Sequence, residues 1–415
     1  MNSALQKNIN TIYWMSFFQC AMIVTAVFVP LLQRHGLTMS QILQTQALFA
    51  FVIAGFEVPS GYLADLWGRK NTIIGGQFII AVAFILLVSA DSFFDFLFYE
   101  ALMGLGMSLC SGADLALIYD SQIALNSIDE SHAENPGKHI SRLVSLEGWA
   151  GAISAILASV LTLWSLDWIL WAQALIACLA FYCSLHLVEA PRETSVLGHK
   201  ENFRKVAASM ISNRLILWVS LGIIVFGLAA LFGFWLMQTY WEAQGVPIAW
   251  FGFIWALHCV VRAITAHYAH RLEELLGWRR IFVFTAALPF IAYLIMALVG
   301  GPIGILFGLA FPLCRGLNMV IFYDALNKRL DAEFRATVNS LVSLGMRSIF
   351  IVMGPILGFL VDSYGVNISL LVLAGWFLPT VIFVLFGLSK QIKAKEENEN
   401  EKNKSDEIES LLYEQ

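Results

Sequence analysis

Charge is what this sequence has least of: 13% of its 415 residues are Asp, Glu, Lys or Arg, against 59% hydrophobic. A soluble domain carries about a quarter of its residues as charges, so these proportions exclude a water-surrounded globule and indicate a chain that lives in lipid. Cysteine is scarce and unorganised. The six cysteines (Cys20, Cys110, Cys178, Cys183, Cys259 and Cys314) lie in apolar stretches without metal-like spacing, so they read as packing residues and no metal site is expected. No Gly-x4-Gly-Lys-Ser/Thr loop is present, which argues against direct drive by a nucleotide. No nucleophile stands beside a base or a metal cluster, which argues against an enzyme, and no cofactor is expected. The apolar run behind Lys7 is too long for a secretion signal and no small-x-small cleavage site follows it, so it is expected to remain as a membrane helix. The net charge of −5 owes much to the last 25 residues and gives no footing for a nucleic-acid partner.

What the chain has is apolar runs. A bilayer crossing needs about 20 apolar residues. Such runs fall at 12–32, 42–63, 72–88, 93–118, 143–163 and 169–188, then at 215–236, 248–268, 281–299, 303–322, 338–361 and 368–388. This predicts an all-α membrane protein with twelve transmembrane helices. Residues 1–188 form an N-terminal six-helix bundle and 214–390 a C-terminal one. A polar segment, 189–213, starting Glu-Ala-Pro-Arg-Glu, reads as a cytoplasmic linker. Residues 391–415 turn to Lys, Glu and Asn, too polar to fold alone, and predict a disordered acidic tail with room for a short helix near Ile408. Basic residues from Lys7, Arg69 and Lys70 through Arg279, Arg280 and Lys328 to Lys390 fall on one side, and the opposite loops hold only Arg34. That asymmetry places both termini in the cytoplasm.

Between the second and third runs stands Gly61-Tyr62-Leu63-Ala64-Asp65-Leu66-Trp67-Gly68-Arg69-Lys70. Gly68 permits the backbone reversal that ends a helix, and the two cations hold the loop in the cytoplasm. Asp65, at the end of its own helix, asks for a partner elsewhere. The pattern Gly-x3-Asp-x2-Gly-Arg-Lys, with Glu57-Val58-Pro59-Ser60 before it, resembles the loop of the major facilitator superfamily of secondary transporters. The resemblance implies two pseudo-symmetric six-helix bundles around a midplane site, working by alternating access, in a monomer of a bacterial inner membrane. It also implies that Asp65 docks near Thr337–Asn339, and that the loop cations meet an acid at the end of helix 4. Asp120 fits that acid, and Asp324 with Arg279 or Arg280 would repeat the arrangement. Gly61, Asp65, Gly68, Arg69, Lys70, Asp120 and Asp324 are thus expected to be conformational latches.

The halves repeat. Leu109-Cys110-Ser111-Gly112 with Ile118-Tyr119-Asp120 recurs as Leu313-Cys314-Arg315-Gly316 with Phe322-Tyr323-Asp324 at an offset of 204, and Leu143-Val144-Ser145-Leu146 recurs as Leu341-Val342-Ser343-Leu344 at 198. Glu274-Leu275-Leu276-Gly277-Trp278-Arg279-Arg280 is a worn copy of the first loop. Gly358-Phe359-Leu360-Val361-Asp362-Ser363-Tyr364-Gly365 also fits Gly-x3-Asp-x2-Gly, but on the opposite face, where it reads as a helix terminus only.

On helix 4, Glu100, Gly104, Met107, Ser111, Asp114 and Ile118 share one stripe. The offset of 204 maps it onto Gly304, Gly308, Phe311, Arg315, Asn318 and Phe322. Charges inside the membrane persist where they face a partner or a watery cavity, and in the family helices 1, 4, 7 and 10 line that cavity. The expected cavity residues are Glu100, Ser111, Asp114, Arg315 and Asn318, with Gln19, Trp235 and Gln238. The alternative is that the polar groups only bond helix to helix, and for Trp235 and Gln238 that they anchor the chain at the interface. Two acid and base pairs, Glu57 with Arg347 and Glu147 with Arg262, stand at matching depths on helices that the family brings together, and are expected to act as a gate.

Together these readings predict a proton-coupled carrier of a small organic solute, with Glu100 or Asp114 carrying the proton. Helix 5 lacks the proline-bearing Gly-x3-Gly-Pro of the family's drug–proton antiporters, which counts against drug efflux. Two alternatives are an uptake permease for a hydrophilic sugar or carboxylate, and a membrane sensor that transports nothing.

Overall fold

In hydrocarbon every backbone N–H and C=O must be satisfied within the chain, and the described residues answer with helices. The computed structural model describes residues 2–126, 136–191, 213–330 and 332–413; most of the expected linker, 192–212, lies outside them. Among the described residues, 11 helical segments are long and apolar enough to cross a bilayer, and the last, Thr337–Gln391, has 55 residues. At 1.5 Å per residue that segment is roughly 80 Å long, far more than one crossing of about 30 Å. It breaks at Gly365, whose φ of 81° and ψ of 166° are not helical. The chain therefore crosses twelve times, with both ends on one face, the termini face.

Crossings 1 to 6 are Leu5–Arg34, Met39–Trp67, Arg69–Leu87, Phe93–Asn126, Pro136–Thr162 and Leu166–Ser184. Crossings 7 to 10 are Arg214–Ala243, Phe251–Leu276, Trp278–Leu298 and Gly301–Asn327. Crossing 11 runs from 332 to 365, and crossing 12 follows. Thr38 and Ser92 start crossings 2 and 4 with reciprocal capping boxes. Gly68 (φ 91°) and Gly277 (φ 77°) each end one helix and begin the next. The first loop and its worn copy thus turn the chain in the same way.

Helix pairing repeats between the halves. Crossing 1 packs on 4 and 6, crossing 2 on 4, and crossing 3 on 4 and 6. Six positions later, 7 packs on 10 and 12, 8 on 10, and 9 on 10 and 12. The bundles meet along 1 with 7, 2 with 11, and 5 with 8. One expectation changes: where the composition predicts a disordered tail, the helix of crossing 12 continues to Tyr413. Lys, Glu and Ala are strong helix formers, and a helix already nucleated in the membrane extends without a new nucleation cost.

Candidate translocation site

Three of the four crossings expected to line a cavity are discontinuous. Crossing 1 passes from α-helix Asn2–Cys20 through a 3-10 turn, Ile23–Val27, into Phe28–Arg34. Crossing 4 breaks between Phe93–Cys110 and Ala113–Asn126, where Gly112 takes a φ of 82° that other residues rarely adopt. Crossing 10 is interrupted after Phe307 and carries a π turn over Asn318–Phe322. Broken helices and π turns expose backbone polarity of the kind that binds solute and ions, although the interruptions of crossings 4 and 10 fall at different places in the two repeats. On crossing 4 the break puts Asp114 in the first turn of the second half-helix, its carboxylate accepting from the Leu115 N–H at 2.7 Å.

Opposite this acid, crossings 7, 8 and 10 line a small recess that is partly open to solvent. Phe234, Met237, Trp255 and Phe311 form its apolar wall, and His258, Arg262 and Arg315 supply its polar groups. The His258 ring lies parallel to that of Trp255, 6.1 Å away, and its Nδ1–H donates to Ile254 O at 2.8 Å. Arg262 acts electrostatically on Arg315, and Glu147 on crossing 5 feels both Asp114 and Arg262. The halves thus bring two acids of one bundle towards two guanidiniums of the other, and among the described residues none of the four is joined to another by a direct ion pair. Sequence reasoning missed His258, Trp255 and Phe234. Trp255, His258, Cys259 and Arg262 at spacings of three and four along crossing 8 were the available sign.

Other expected cavity residues do not converge there. Glu100 is buried and hydrogen-bonded by Gln46 of crossing 2, inside the N-terminal bundle. Asn318 is buried on the π turn, donating to Ile223 O at 3.1 Å inside the C-terminal bundle. Gln19 accepts from Gln77 at 2.5 Å and reaches Met107. These three serve helix to helix, because an enclosed amide or carboxylic group is matched most closely by its own bundle. Gln238 fits neither cavity lining nor interfacial anchoring. Its amide is buried and spans the bundles, accepting from Val29 N at 3.0 Å and donating to Thr25 O at 2.7 Å. The 3-10 turn of crossing 1 frees those backbone groups, and Gln238 satisfies both. Trp235 packs edge-on to Phe28, 6.4 Å away, beside that junction.

On the stripes of crossings 4 and 10, Ser111 and Arg315, at the middle of the membrane, are exposed, while Glu100, Gly104, Gly304, Gly308 and Phe311 on the outer side of them and Ile118, Asn318 and Phe322 on the termini side are buried. Away from the termini face the bundles are bonded together. Besides Gln238, the Phe253 N–H donates to Ser159 Oγ at 3.0 Å, and Asp362 accepts from Met39 N and Ser40 N at 2.8 Å each. Nearer the termini face, Glu57 and Arg347 feel each other without a direct ion pair among the described residues, and Arg347 Nε donates instead to Ser343 Oγ at 3.3 Å. Glu147 and Arg262 stand in the same relation.

The first loop is assembled within its own bundle. Arg69 is ion-paired with Asp120, both side chains largely buried. Glu189 caps crossing 3, accepting from Arg69 N at 2.9 Å and Lys70 N at 2.8 Å. Gly61 and Asp65 are exposed, and no atom lies within 4 Å of where a Cβ on Gly61 would sit. In the other half Asp324 pairs with Lys328 at 2.6 Å and holds that ammonium above its usual pKa. A double-mutant cycle of Arg69→Gln and Asp120→Asn is expected to give a coupling of about 1–2 kcal/mol in unfolding free energy, since the pair is shielded from water. A coupling near zero would make the contact incidental.

The sequence profile of the Major Facilitator Superfamily matches residues 9–332. The chain is a member of the major facilitator superfamily. A curated relative, an uncharacterized transporter of Buchnera aphidicola subsp. Schizaphis graminum (strain Sg), is 24% identical over 225 residues, 53% of this chain and 55% of its own. The chain thus aligns with about half the length of that relative. The fold is also that of solved superfamily transporters. The nucleoside transporter NupG superposes with a TM-score of 0.72 at 11% identity, covering 92% of this chain and 98% of its own. A bacterial homologue of the human lysosomal transporter Spinster, solved inward-facing and unoccupied, gives 0.73 at 15% identity over 94% and 97%. A D-xylose–proton symporter gives 0.69 at 10% identity over 92% and 97%.

Proposed function

We propose that this superfamily member is a secondary active transporter of a small organic solute that pairs an anionic group with an apolar or aromatic body. The recess carries the reading. Two guanidiniums in the middle of the membrane cost at least a few kcal/mol each if left bare, and each offers a planar fork that matches a carboxylate or phosphate. The aromatic wall beside them suits an apolar body. By the charge asymmetry of the loops the termini face is the cytoplasmic one, so the seam bonded by Gln238, Ser159 and Asp362 is the outer one and this state is shut outward, one limb of alternating access.

Glu147, which feels both Asp114 and Arg262, and Asp114 itself are the groups we assign to proton coupling. Two nearby carboxyls do not both ionise readily, and an incoming anion at Arg262 and Arg315 competes with them for the same positive charge. Glu100, enclosed with Gln46, is left to hold crossings 2 and 4 together. No step here requires bond chemistry, so the protein acts as a carrier and not as an enzyme.

Purified protein in liposomes, given labelled 1-naphthoate, 1-naphthylamine and xylose, is expected to move the naphthoate, faster under an imposed proton gradient and slower after a protonophore. Transport of the amine or xylose in preference to the naphthoate would remove the anion assignment. Indifference to the collapsed gradient would remove the coupling.

A further inference from the structure

Gly-x3-Asp-x2-Gly occurs twice: as Gly61, Asp65 and Gly68 at the termini end of crossing 2, and as Gly358, Asp362 and Gly365 at the opposite end of crossing 11. Both closing glycines take positive φ, 91° and 81°, so each motif ends its helix in a similar backbone turn. Crossings 2 and 11 are also one of the pairs that meet between the bundles. The second copy is docked. Asp362 gives one carboxylate oxygen to Met39 N and the other to Ser40 N, both at 2.8 Å. Those are the first two residues of the crossing 2 helix, whose N–H groups have no intrahelical partner and whose dipole favours a negative charge. Four residues earlier, Gly358 is buried so closely against this helix start that a Cβ would stand 2.5 Å from Ser40 Cα and 2.7 Å from Met39 O. The glycine lets the helices touch, and the aspartate binds where they touch. At the first copy Gly61 faces open space.

We propose that Gly358 and Asp362 form a latch that holds the transporter shut on the outer face, the inverted counterpart of the loop after crossing 2, and that the two latches cannot be engaged together. When the outer ends of crossings 2 and 11 separate, the Met39 and Ser40 N–H groups pass to water and Asp362 loses its two donors. The same rocking brings the face of Gly61 towards crossing 11. This rests on alternating access but not on the identity of the solute, and its test needs no solute.

Hydrogen exchange on the whole protein in lipid nanodiscs reads each seam by its own amides. In Asp362→Ala the Met39 and Ser40 amides lose their acceptor and must exchange faster in any case, so the diagnostic sites are remote: Val29, bonded to Gln238, and Phe253, bonded to Ser159. Asp362→Ala and Gly358→Leu, the second of which keeps the carboxylate, are each expected to accelerate exchange at Val29 and Phe253 about tenfold or more. Asp362→Asn, which keeps one acceptor oxygen, should fall between. Gly61→Leu should leave both remote amides as protected as in the native chain, or more so. Faster exchange confined to residues 39–42 in both latch variants would reduce the contact to a local helix cap and overturn the proposal. So would acceleration of Val29 and Phe253 by Gly61→Leu equal to that of the latch variants. An unaltered elution volume and melting temperature in Asp362→Asn keep its intermediate exchange readable as a shift between states.

Discussion

Arg315→Gln is expected to weaken binding of an aromatic carboxylate such as 1-naphthoate by roughly 10- to 100-fold, the worth of about 1.5–3 kcal/mol for a hydrogen bond to a charged group. Binding of the uncharged amide of the same ring should change by less than threefold. Arg315 stands mid-crossing in the recess, with Arg262 as a like-charged neighbour and no direct ion pair among the described residues. The variant should therefore fold about as stably as the native protein, because removal of the guanidinium leaves no bonded partner orphaned. Arg315→Lys keeps the charge but not the fork and should recover part of the affinity. Titration calorimetry in detergent with the two ligands checks this. Equal loss for acid and amide would mean that Arg315 shapes the recess without recognising charge.

Gly252→Leu is expected to abolish turnover while leaving a folded protein. At the outer start of crossing 8, a Cβ on Gly252 would overlap Ala155 O and lie 2.5 Å from Ser159 Oγ on crossing 5. Backbone cannot yield as a flexible side chain does, so the bundles must part there, and the Phe253 bond to Ser159 is lost with them. Overpacking of this kind costs about 3 kcal/mol at the high end of its usual range, which shifts the closed-to-open ratio by about a hundredfold. Exchange of a labelled solute across liposomes should fall by about that factor, while an impermeant outer-face reagent should gain access to the recess thiol Cys259. Normal exchange in Gly252→Leu would mean that this seam does not have to close.

The elements whose causes are local were legible before any coordinates. Gly68 and Gly277 turn the chain at the first loop and its copy, because a helix reversal within one residue demands positive φ. Arg69 meets Asp120 because a short loop leaves its cation little choice of neighbours. The cavity was legible only in part. Arg315, Ser111 and Asp114 lie where the broken helices place them, but Glu100 and Asn318 shared their stripes and turned into their own bundles. A stripe about 100° wide does not specify which of its neighbours is a helix and which is water. Gln238 was unreadable for another reason. Its partners are backbone groups of crossing 1, free only because that helix becomes 3-10 at Ile23, which no residue type announces. Asp362 looked like a terminus because its partner is the start of a helix 322 residues away in the chain.

By itself the sequence determined a lipid-embedded chain of twelve crossings, folded as two repeats with charge along the cleft between them, because apolar run length, residue period and loop charge are properties of neighbours along the chain. Only the tertiary structure decided which face is shut, which polar groups meet the recess and which stay inside a bundle. Those outcomes depend on how two rigid bundles are tilted against each other, and one sequence permits more than one tilt.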